Sequence, residues 1–164
     1  MRRLGFGVHG ASLKSDSKSD EEIGKGLGVV LRLRGDSAEL ELEATQYERT
    51  YGTSRLDTRL GGAVIFYLTD WSVFRPYALA GLGVNMVRPD ETWEPKNAAK
   101  QSYLVGGFGA GLALSRRIVL AVDLRWAAFR AIHDEHSEEK VYQVIALPEK
   151  EQTFETRFMG LLYF

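Results

Sequence analysis

The stretch GGFGAGLALSRRIVLAVDLRW, from Gly106 to Trp126, decides the fold. Residues 115–117 (SRR) separate two apolar runs, and a connection this short is typical of a turn between antiparallel strands. Large hydrophobic residues fill one set of alternate positions, whereas glycines, small residues, Asp123 and Arg125 fill the other set. This period of two predicts two β-strands, each with one apolar face and one face of glycines and charges.

The same alternation recurs along the chain and predicts eight strands. The predicted strands are 2–13, 23–34, 38–50, 56–69, 74–88, 101–114, 118–130 and 151–164. They reach the roughly 9 to 11 residues that a tilted transmembrane strand needs. The connections after strands two, four and six are short, those after strands one, five and seven are long, and that after strand three is intermediate. We therefore predict an all-β, eight-stranded antiparallel up-and-down transmembrane barrel.

Composition limits the possible classes of function. The chain has 164 residues, a net charge of −1 and no cysteine, so we expect a single domain over residues 1–164. The near-neutral charge predicts no nucleic-acid partner, and the lack of cysteine excludes disulfides and thiolate metal sites. We interpret the start of the chain as mature sequence from which an export signal has been removed.

Alternation alone fits a soluble barrel as well as a membrane barrel, and the two differ in which face is inside. Glycines on the charged face favour a membrane barrel, because they make room for long side chains in a narrow lumen. Charges of both signs on that face can pair when buried. The predicted lumen charge network is Arg32, Arg34, Glu39, Glu41, Glu43, Arg59, Arg75, Asp123, Arg125, Glu155 and Arg157. The predicted interfacial aromatic residues are Phe66, Trp71, Phe74, Tyr77, Trp126, Phe129 and Phe164.

Four segments resemble a known family. They are FRPYALAGLGVN (74–85), GGFGAGLAL (106–114), IVLAVDLRW (118–126) and the terminal RFMGLLYF (157–164). In this order they resemble the small bacterial outer-membrane β-barrels of the OmpA/OmpX type. The resemblance implies a monomer in the bacterial outer membrane, in contact with its lipid and lipopolysaccharide. It also implies that Phe164 is read by the barrel assembly machinery, and that this single barrel domain lacks the periplasmic domain of larger members. It also implies a role in membrane integrity, or in recognition and adhesion through an extracellular ligand of the outer loops.

Two alternatives remain open. One is a soluble lipocalin-like barrel whose Leu/Val face encloses an apolar ligand. The other is an outer-membrane lipid-modifying enzyme, since some small barrels use a Ser/His pair near the outer rim. Ser137 follows His136 here, but no nucleophile, base and orienting acid form a recognisable set, so we predict no catalytic residues.

Histidines offer the only other candidate chemistry. The HDEH segment (133–136) has two histidines that could bind a divalent metal, but it lies in the longest predicted loop and lacks a third ligand at fixed spacing. We interpret it as a solvated loop. His9 is on the inward face of the first strand, where a hydrogen-bonded lumen residue is expected. The sequence therefore predicts no metal site and no cofactor.

Overall fold

The chain forms a closed barrel in which every strand pairs antiparallel with its neighbours, and the last strand pairs with the first. The computed structural model describes residues 3–17, 20–35, 38–51, 53–69, 73–89, 98–132 and 150–164. The strands are β1 (Arg3–Ser17), β2 (Asp20–Arg34), β3 (Ala38–Tyr51), β4 (Thr53–Tyr67), β5 (Phe74–Arg88), β6 (Ala99–Ala113), β7 (Ile118–Ala131) and β8 (Lys150–Tyr163). No helix among the described residues has the length and hydropathy to span a membrane. The predicted eight-stranded up-and-down barrel is confirmed.

The end of the barrel with the longer predicted connections is called the loop end, and the opposite end is called the turn end. Two hairpins at the loop end are longer than the sequence predicted. β1 and β2 pair as far as Ser17 and Asp20, so residues 18–19 alone connect them. β3 and β4 pair as far as Tyr51 and Thr53, which replaces the predicted intermediate connection. The predicted boundaries were wrong here because an antiparallel ladder satisfies the backbone whether its side chains are polar or apolar. The longer connections at this end are therefore those that follow β5 and β7.

The outer wall has an apolar belt next to the short turns. On β7 the belt runs from Ile118 to Ala128, which matches the roughly 9 to 11 residues of a transmembrane strand. Its large hydrophobic side chains point outward, and Leu27 and Phe158 are 77% and 66% exposed. Each strand has an outward polar residue at the loop-side edge of the belt. These residues are Ser12, Lys25, Gln46, Thr58, Arg88, Ser102, Arg130 and Gln152.

The turn between β6 and β7 shows why SRR can join two apolar strands. The Leu114 amide donates to the Ile118 carbonyl oxygen at 3.0 Å. The Ser115 hydroxyl oxygen accepts the amide hydrogens of Arg117 and Ile118 at 3.2 and 3.1 Å. A serine side chain that accepts amides of the following residues favours a turn. The local sequence therefore stabilises the chain reversal on its own.

The predicted interfacial aromatic residues divide between the two sides of the wall. The outward ones are Phe66, Phe74, Trp126 and Phe164. Tyr77 and Phe129, in contrast, are buried in the lumen at 1% and 3% exposure, so their prediction as interfacial residues was wrong. Position along the strand decides the level of a side chain, but the alternation decides its face. Trp71 lies outside the described residues.

Candidate functional site in the barrel lumen

The lumen is lined by side chains from alternate positions of the strands. Inward residues of β3 include Glu39, Glu41 and Glu43, and those of β7 include Asp123 and Arg125, all of them buried. An ionised group removed from water costs several kcal/mol unless a partner neutralises it. The three β3 glutamates mark successive levels from the turn end of the barrel toward the loop end.

The level nearest the turns centres on Glu39. This carboxylate pairs with Arg34 and accepts a hydrogen bond from the Tyr163 hydroxyl at 3.1 Å. Arg34 Nη2 donates to the Tyr67 hydroxyl oxygen at 3.1 Å, and the guanidinium carbon lies 4.6 Å from the centroid of the Tyr163 ring. A guanidinium over an aromatic face gains a cation–π attraction. One carboxylate and two tyrosines therefore fix Arg34.

The middle level centres on Arg125, which is 1% exposed. Its Nη2 lies 2.7 Å from Glu41 Oε1 and 2.5 Å from Asp123 Oδ2, and its Nη1 lies 3.0 Å from Glu43 Oε2. Arg32 Nη2 lies 2.7 Å from the other oxygen of Glu41. Because β3 and β7 are four strands apart in an eight-stranded barrel, Arg125 joins opposite walls across the lumen.

A chain of ion pairs continues from Glu43 toward the loop end. Glu43 pairs with Arg157, and Arg157 pairs with Glu155. Arg59 Nη1 lies 3.1 Å from Glu155 Oε2, and the Arg59 guanidinium carbon lies 4.3 Å from the centroid of the Tyr47 ring. Positive and negative groups alternate along this chain, so each charge faces an opposite one.

A further ion-pair cluster, absent from the predicted network, lies at the loop end. Asp57 Oδ2 lies 2.9 Å from Arg49 Nη1 and 3.0 Å from Arg55 Nη2. Glu151 Oε2 lies 3.2 Å from Arg55 Nη2, and Glu151 also pairs with Arg49. Only Arg55 falls outside a predicted strand. The other three occupy inward positions of the alternation, which is the signal that would have found them.

This loop-end cluster lies beyond the membrane-spanning belt, which begins on β4 at Leu60. Burial raises the pKa of the Asp57 carboxyl, but the guanidinium groups of Arg55 and Arg49 outweigh burial and lower this pKa to about 2. Burial also raises the pKa of Glu151, and Arg49 and Arg55 again bring it below its usual range. Both carboxylates are therefore ionised at neutral pH, and they tie β8 to β3 and β4.

Glycines of the lumen face aromatic rings across the strand ladder. The directly paired residues are Gly5 with Tyr163, Gly26 with Tyr47, Gly83 with Tyr103, Gly109 with Tyr77, and Gly28 with His9. A Cβ atom at Gly26 would lie 2.6 Å from Tyr47 Cδ1, and one at Gly5 would lie 2.7 Å from Tyr163 Cε1. These separations are shorter than carbon atoms tolerate. The absent Cβ atoms therefore provide the space that the rings occupy.

The predicted charge network occupies two regions of the lumen. Its buried members are Arg32, Glu39, Glu41, Glu43, Arg59, Asp123, Arg125, Glu155 and Arg157. Arg34 and Arg75 are half-buried at the turn end, where the Arg75 guanidinium carbon lies 5.7 Å from the centroid of the Tyr67 ring. Phe164 follows β8 and is 72% exposed, and its amide donates to the Leu4 carbonyl oxygen at 2.9 Å. The role of Phe164 in assembly stays a prediction.

No protein-family model and no curated protein sequence matches the chain. Solved structures match it over nearly its whole length. The crystal structure of neisserial surface protein A aligns with 98% of this chain over 97% of its own length, at 14% identity and a TM-score of 0.78. The crystal structure of the outer-membrane enzyme PagL aligns with 92% of this chain over 97% of its own length, at 10% identity and a TM-score of 0.59. The chain has the fold of a small bacterial outer-membrane β-barrel.

A third outer-membrane barrel has the same fold at lower similarity. The attachment invasion locus protein Ail of Yersinia pestis aligns with 99% of this chain over 98% of its own length, at 10% identity and a TM-score of 0.56. These neighbours have different functions by their names, and at these identities they show the fold alone.

The outer-membrane barrel fold excludes the lipocalin-like alternative. That alternative needs the Leu/Val face inside, around an apolar ligand. In the structure Leu124 is 60% exposed on the outer wall, whereas its neighbour Arg125 is buried in the lumen. The sequence left this alternative open because both kinds of barrel have the same period of two, with opposite faces inside.

The remaining candidate chemistry of this outer-membrane barrel concerns histidine and metals. His9 Nε2 lies 2.9 Å from Thr45 Oγ1, and both side chains are buried in the lumen. The HDEH segment (133–136) and Ser137 lie outside the described residues. The carboxylates of the described lumen pair with arginines, so a divalent cation would have to displace a guanidinium to reach them.

Proposed function

We propose that this protein is a monomeric outer-membrane barrel with a closed lumen, which acts in membrane integrity or in surface recognition through its loop end. The distribution of side chains across the wall carries the proposal. Hydrophobic side chains such as Leu124 and Phe158 are exposed on the outside, and Asp123 and Arg125 are buried inside. Such a wall is stable only when a medium as apolar as lipid surrounds it.

The lumen contents support a closed barrel. Eight strands leave an interior just wide enough for side chains. Arg125 spans the interior between β7 and β3, and Arg157 spans it between β8 and β3. Passage of a solute would require these buried ion pairs to separate, which costs several kcal/mol. We therefore infer that no wide aqueous channel exists.

The loop end supports surface recognition. The hairpins β1–β2 and β3–β4 continue beyond the apolar belt. The cluster of Arg49, Arg55, Asp57 and Glu151 ties the β3–β4 hairpin to β8. These hairpins form a rim beyond the belt at the end of the barrel where an extracellular ligand would bind. Ail, by its name an attachment protein, has the same architecture.

The belt edge supports contact with outer-membrane lipid and lipopolysaccharide. Lys25, Arg88, Lys100 and Arg130 lie at or just beyond this edge on the outer face. Cations at this level can reach the phosphate groups of lipids while their aliphatic stems stay on the apolar wall. We also propose that Phe164 is read by the barrel assembly machinery, and its exposed ring at the end of β8 is accessible for that role.

Membrane extraction and conductance test this proposal. We expect extraction only with detergent, electrophoretic migration that changes on heating, and no stepwise conductance in planar lipid bilayers. A monomeric protein that is stable without detergent would contradict the membrane assignment. Large, regular conductance steps would contradict the closed lumen and leave the membrane assignment intact.

We further propose a non-enzymatic role, although PagL shows that this fold can host an outer-membrane enzyme. The His9–Thr45 pair supports the proposal, because it is buried in the lumen and cannot reach an acyl ester at the wall. Incubation with lipopolysaccharide and phospholipid, followed by mass spectrometry, should show no loss or gain of acyl chains. Loss of an acyl chain from the lipid would establish an enzyme instead, if that loss disappears when Ser137 or His136 is replaced.

A further inference from the structure

A groove crosses the outer wall of the barrel where the last strand meets the first. It consists of two adjoining depressions with volumes of about 940 and 760 Å³, which share Gly10, Leu27 and Phe158. Gly10 forms the floor, because in the strand ladder it lies between Phe158 on β8 and Leu27 on β2. Phe158 and Leu27 are 66% and 77% exposed and form the two sides. We call this feature the wall groove.

Two outward glycines open the wall groove. A Cβ atom at Gly10 would meet only Leu27 Cδ2, at 4.0 Å, and a Cβ atom at Gly160 would meet nothing within 4 Å. Gly160 lies nearer the turn end, opposite Val8. The glycines of the lumen differ, because aromatic rings occupy the space beside them. On the outer wall the missing side chains instead leave space that a flexible hydrocarbon chain can enter.

The two ends of the wall groove differ in polarity. The part nearer the turn end is lined by apolar side chains such as Leu120. The part nearer the loop end is lined by the polar residues Ser12, Lys25, Gln46 and Glu48. Lys25 lies opposite Ser12 on β1 and opposite Glu48 on β3 in the strand ladder. An apolar channel with a polar end is the shape of a site for an amphiphile.

The length of the wall groove matches the thickness of one leaflet of a bilayer. Ser12 and Val8 line its two parts and are four residues apart on β1, which corresponds to ~13 Å of extended strand. Half of a typical hydrocarbon core is about 15 Å thick. An acyl chain in the wall groove would therefore follow the wall through most of a leaflet, with its headgroup at the polar end.

We propose that the wall groove holds one acyl chain of a zwitterionic phospholipid, with its headgroup between Lys25 and Glu48. The Lys25 ammonium group contacts the lipid phosphate while its aliphatic stem stays on the wall. The Glu48 carboxylate contacts the positively charged amine of the headgroup, whereas it repels a purely anionic headgroup. The inference rests on the proposed outer-membrane location and adds one class of lipid at one site.

Native mass spectrometry of the detergent-solubilised protein tests the wall groove. Phosphatidylethanolamine, phosphatidylglycerol or lipid A is added in increasing amounts, and the lipids bound per barrel are counted. We expect phosphatidylethanolamine to bind saturably, with a single lipid per barrel, and more tightly than either anionic lipid. The absence of a saturable complex, or tighter binding of phosphatidylglycerol or lipid A, would overturn the proposal.

Gly10→Leu fills the wall groove from its floor, where a Cβ atom has room. It should weaken phosphatidylethanolamine binding about tenfold, the effect of removing the contacts of about two methylene groups. Gly106→Leu is the matched control, because Gly106 is an outward glycine of β6 where a Cβ atom also has room. It should leave binding unchanged, and equal weakening by the two variants would count against the proposal.

The heat-dependent change in migration shows first that each variant is folded. If Gly10→Leu does not fold, Gly160→Leu blocks the part of the wall groove nearer the turn end and should weaken binding to a similar extent. Unchanged binding in the folded groove variant would overturn the proposal.

Two charge variants test the headgroup separately from the chain. Lys25→Gln should weaken phosphatidylethanolamine binding about threefold, the effect of one exposed ion pair. Glu48→Gln should reduce the preference for phosphatidylethanolamine over phosphatidylglycerol by about the same factor. If neither variant changes affinity or preference, the assignment of a zwitterionic headgroup is wrong. Detergent extraction does not depend on these titrations, so a negative result here would leave the proposed membrane barrel intact.

Discussion

The outer wall and the lumen are made from the same strands, yet they differ in what holds them together. On the wall, Leu124 and Phe158 need only an apolar solvent, and no particular neighbour fixes them. In the lumen, Arg125 contacts three carboxylates, and Gly109 must lack a side chain because Tyr77 fills its space. The wall therefore tolerates any residue of the right hydropathy, whereas the lumen requires particular residues. Four substitutions or conditions test this difference.

Arg125→Leu should have the largest effect. It leaves Asp123, Glu41 and Glu43 without their shared partner, and removal of one member of a buried ion pair costs about 3–5 kcal/mol. We expect failure to fold, or a loss of that size or more in the free energy of unfolding by urea in lipid vesicles. Arg130→Leu is the matched control on the same strand, and it should change stability by less than about 0.5 kcal/mol. Equal effects of the two changes would place Arg125 in solvent.

Leu124→Arg tests the wall one residue away. An arginine on the lipid face near the bilayer centre costs about 2–4 kcal/mol. Leu124→Ala keeps the site apolar and should cost much less in the same urea titration. If Leu124→Arg were neutral, the wall at this level would be in contact with water.

Gly109→Val tests the pairing of lumen glycines with aromatic rings. A Cβ atom at Gly109 would lie 2.5 Å from Tyr77 Cε2 and 2.4 Å from Asp123 Oδ1, which accepts the Tyr77 hydroxyl hydrogen. Overpacking of this kind costs about 1–3 kcal/mol. Gly160→Val is the control, because a Cβ atom at that position meets nothing within 4 Å. The control should be neutral or slightly stabilising, since valine favours strands. Similar losses for both variants would mean that strand geometry, and not the ring, excludes a side chain.

Lowering the pH should have the smallest effect on the free energy of unfolding, through protonation of the loop-end cluster. The pKa of Asp57 is lowered to about 2 in the folded protein, against about 3.9 for an unfolded chain. Its contribution to stability is therefore complete above about pH 4 and is lost as the pH falls toward 2. Linkage gives a loss of about 1 kcal/mol at pH 3 for this group. The stability of Asp57→Asn should depend less on pH over this interval, and an identical dependence would show that Asp57 is not paired.

The alternation of residues accounts for how much of the fold the sequence could predict. Strand number, pairing order and inward face follow from the period of two, since one residue of slip would exchange the two faces of a strand. The loop-end hairpins did not follow, because polar segments such as that around Ser17 have no apolar face to mark a strand. The soluble alternative also stayed open, because soluble barrels and membrane barrels have the same period of two.

The ion pairs of the lumen were harder to predict than its composition. The sequence places Glu41 and Arg125 on inward faces, but their contact depends on level and on β3 lying opposite β7. Tyr77 is a different case: its position beside a turn suggested an interface, although the alternation of β5 already assigned it to the inward face, where it pairs with Gly109. Pairings across the barrel require the register of the intervening strands, which a single sequence does not specify.

The three glutamates of β3 bear on how the barrel is assembled. Two of them pair with arginines of β7 and β8 that lie far along the chain: Arg125 is 84 positions from Glu41, and Arg157 is 114 positions from Glu43. A half-built sheet of β1 to β4 would hold these carboxylates without those arginines, in a setting that lipid cannot solvate. Insertion strand by strand into a bilayer is therefore unfavourable for this sequence. We therefore expect the N-terminal half to stay in contact with water until β7 and β8 pair, so that closure of the barrel and exclusion of water from its interior occur in one late step.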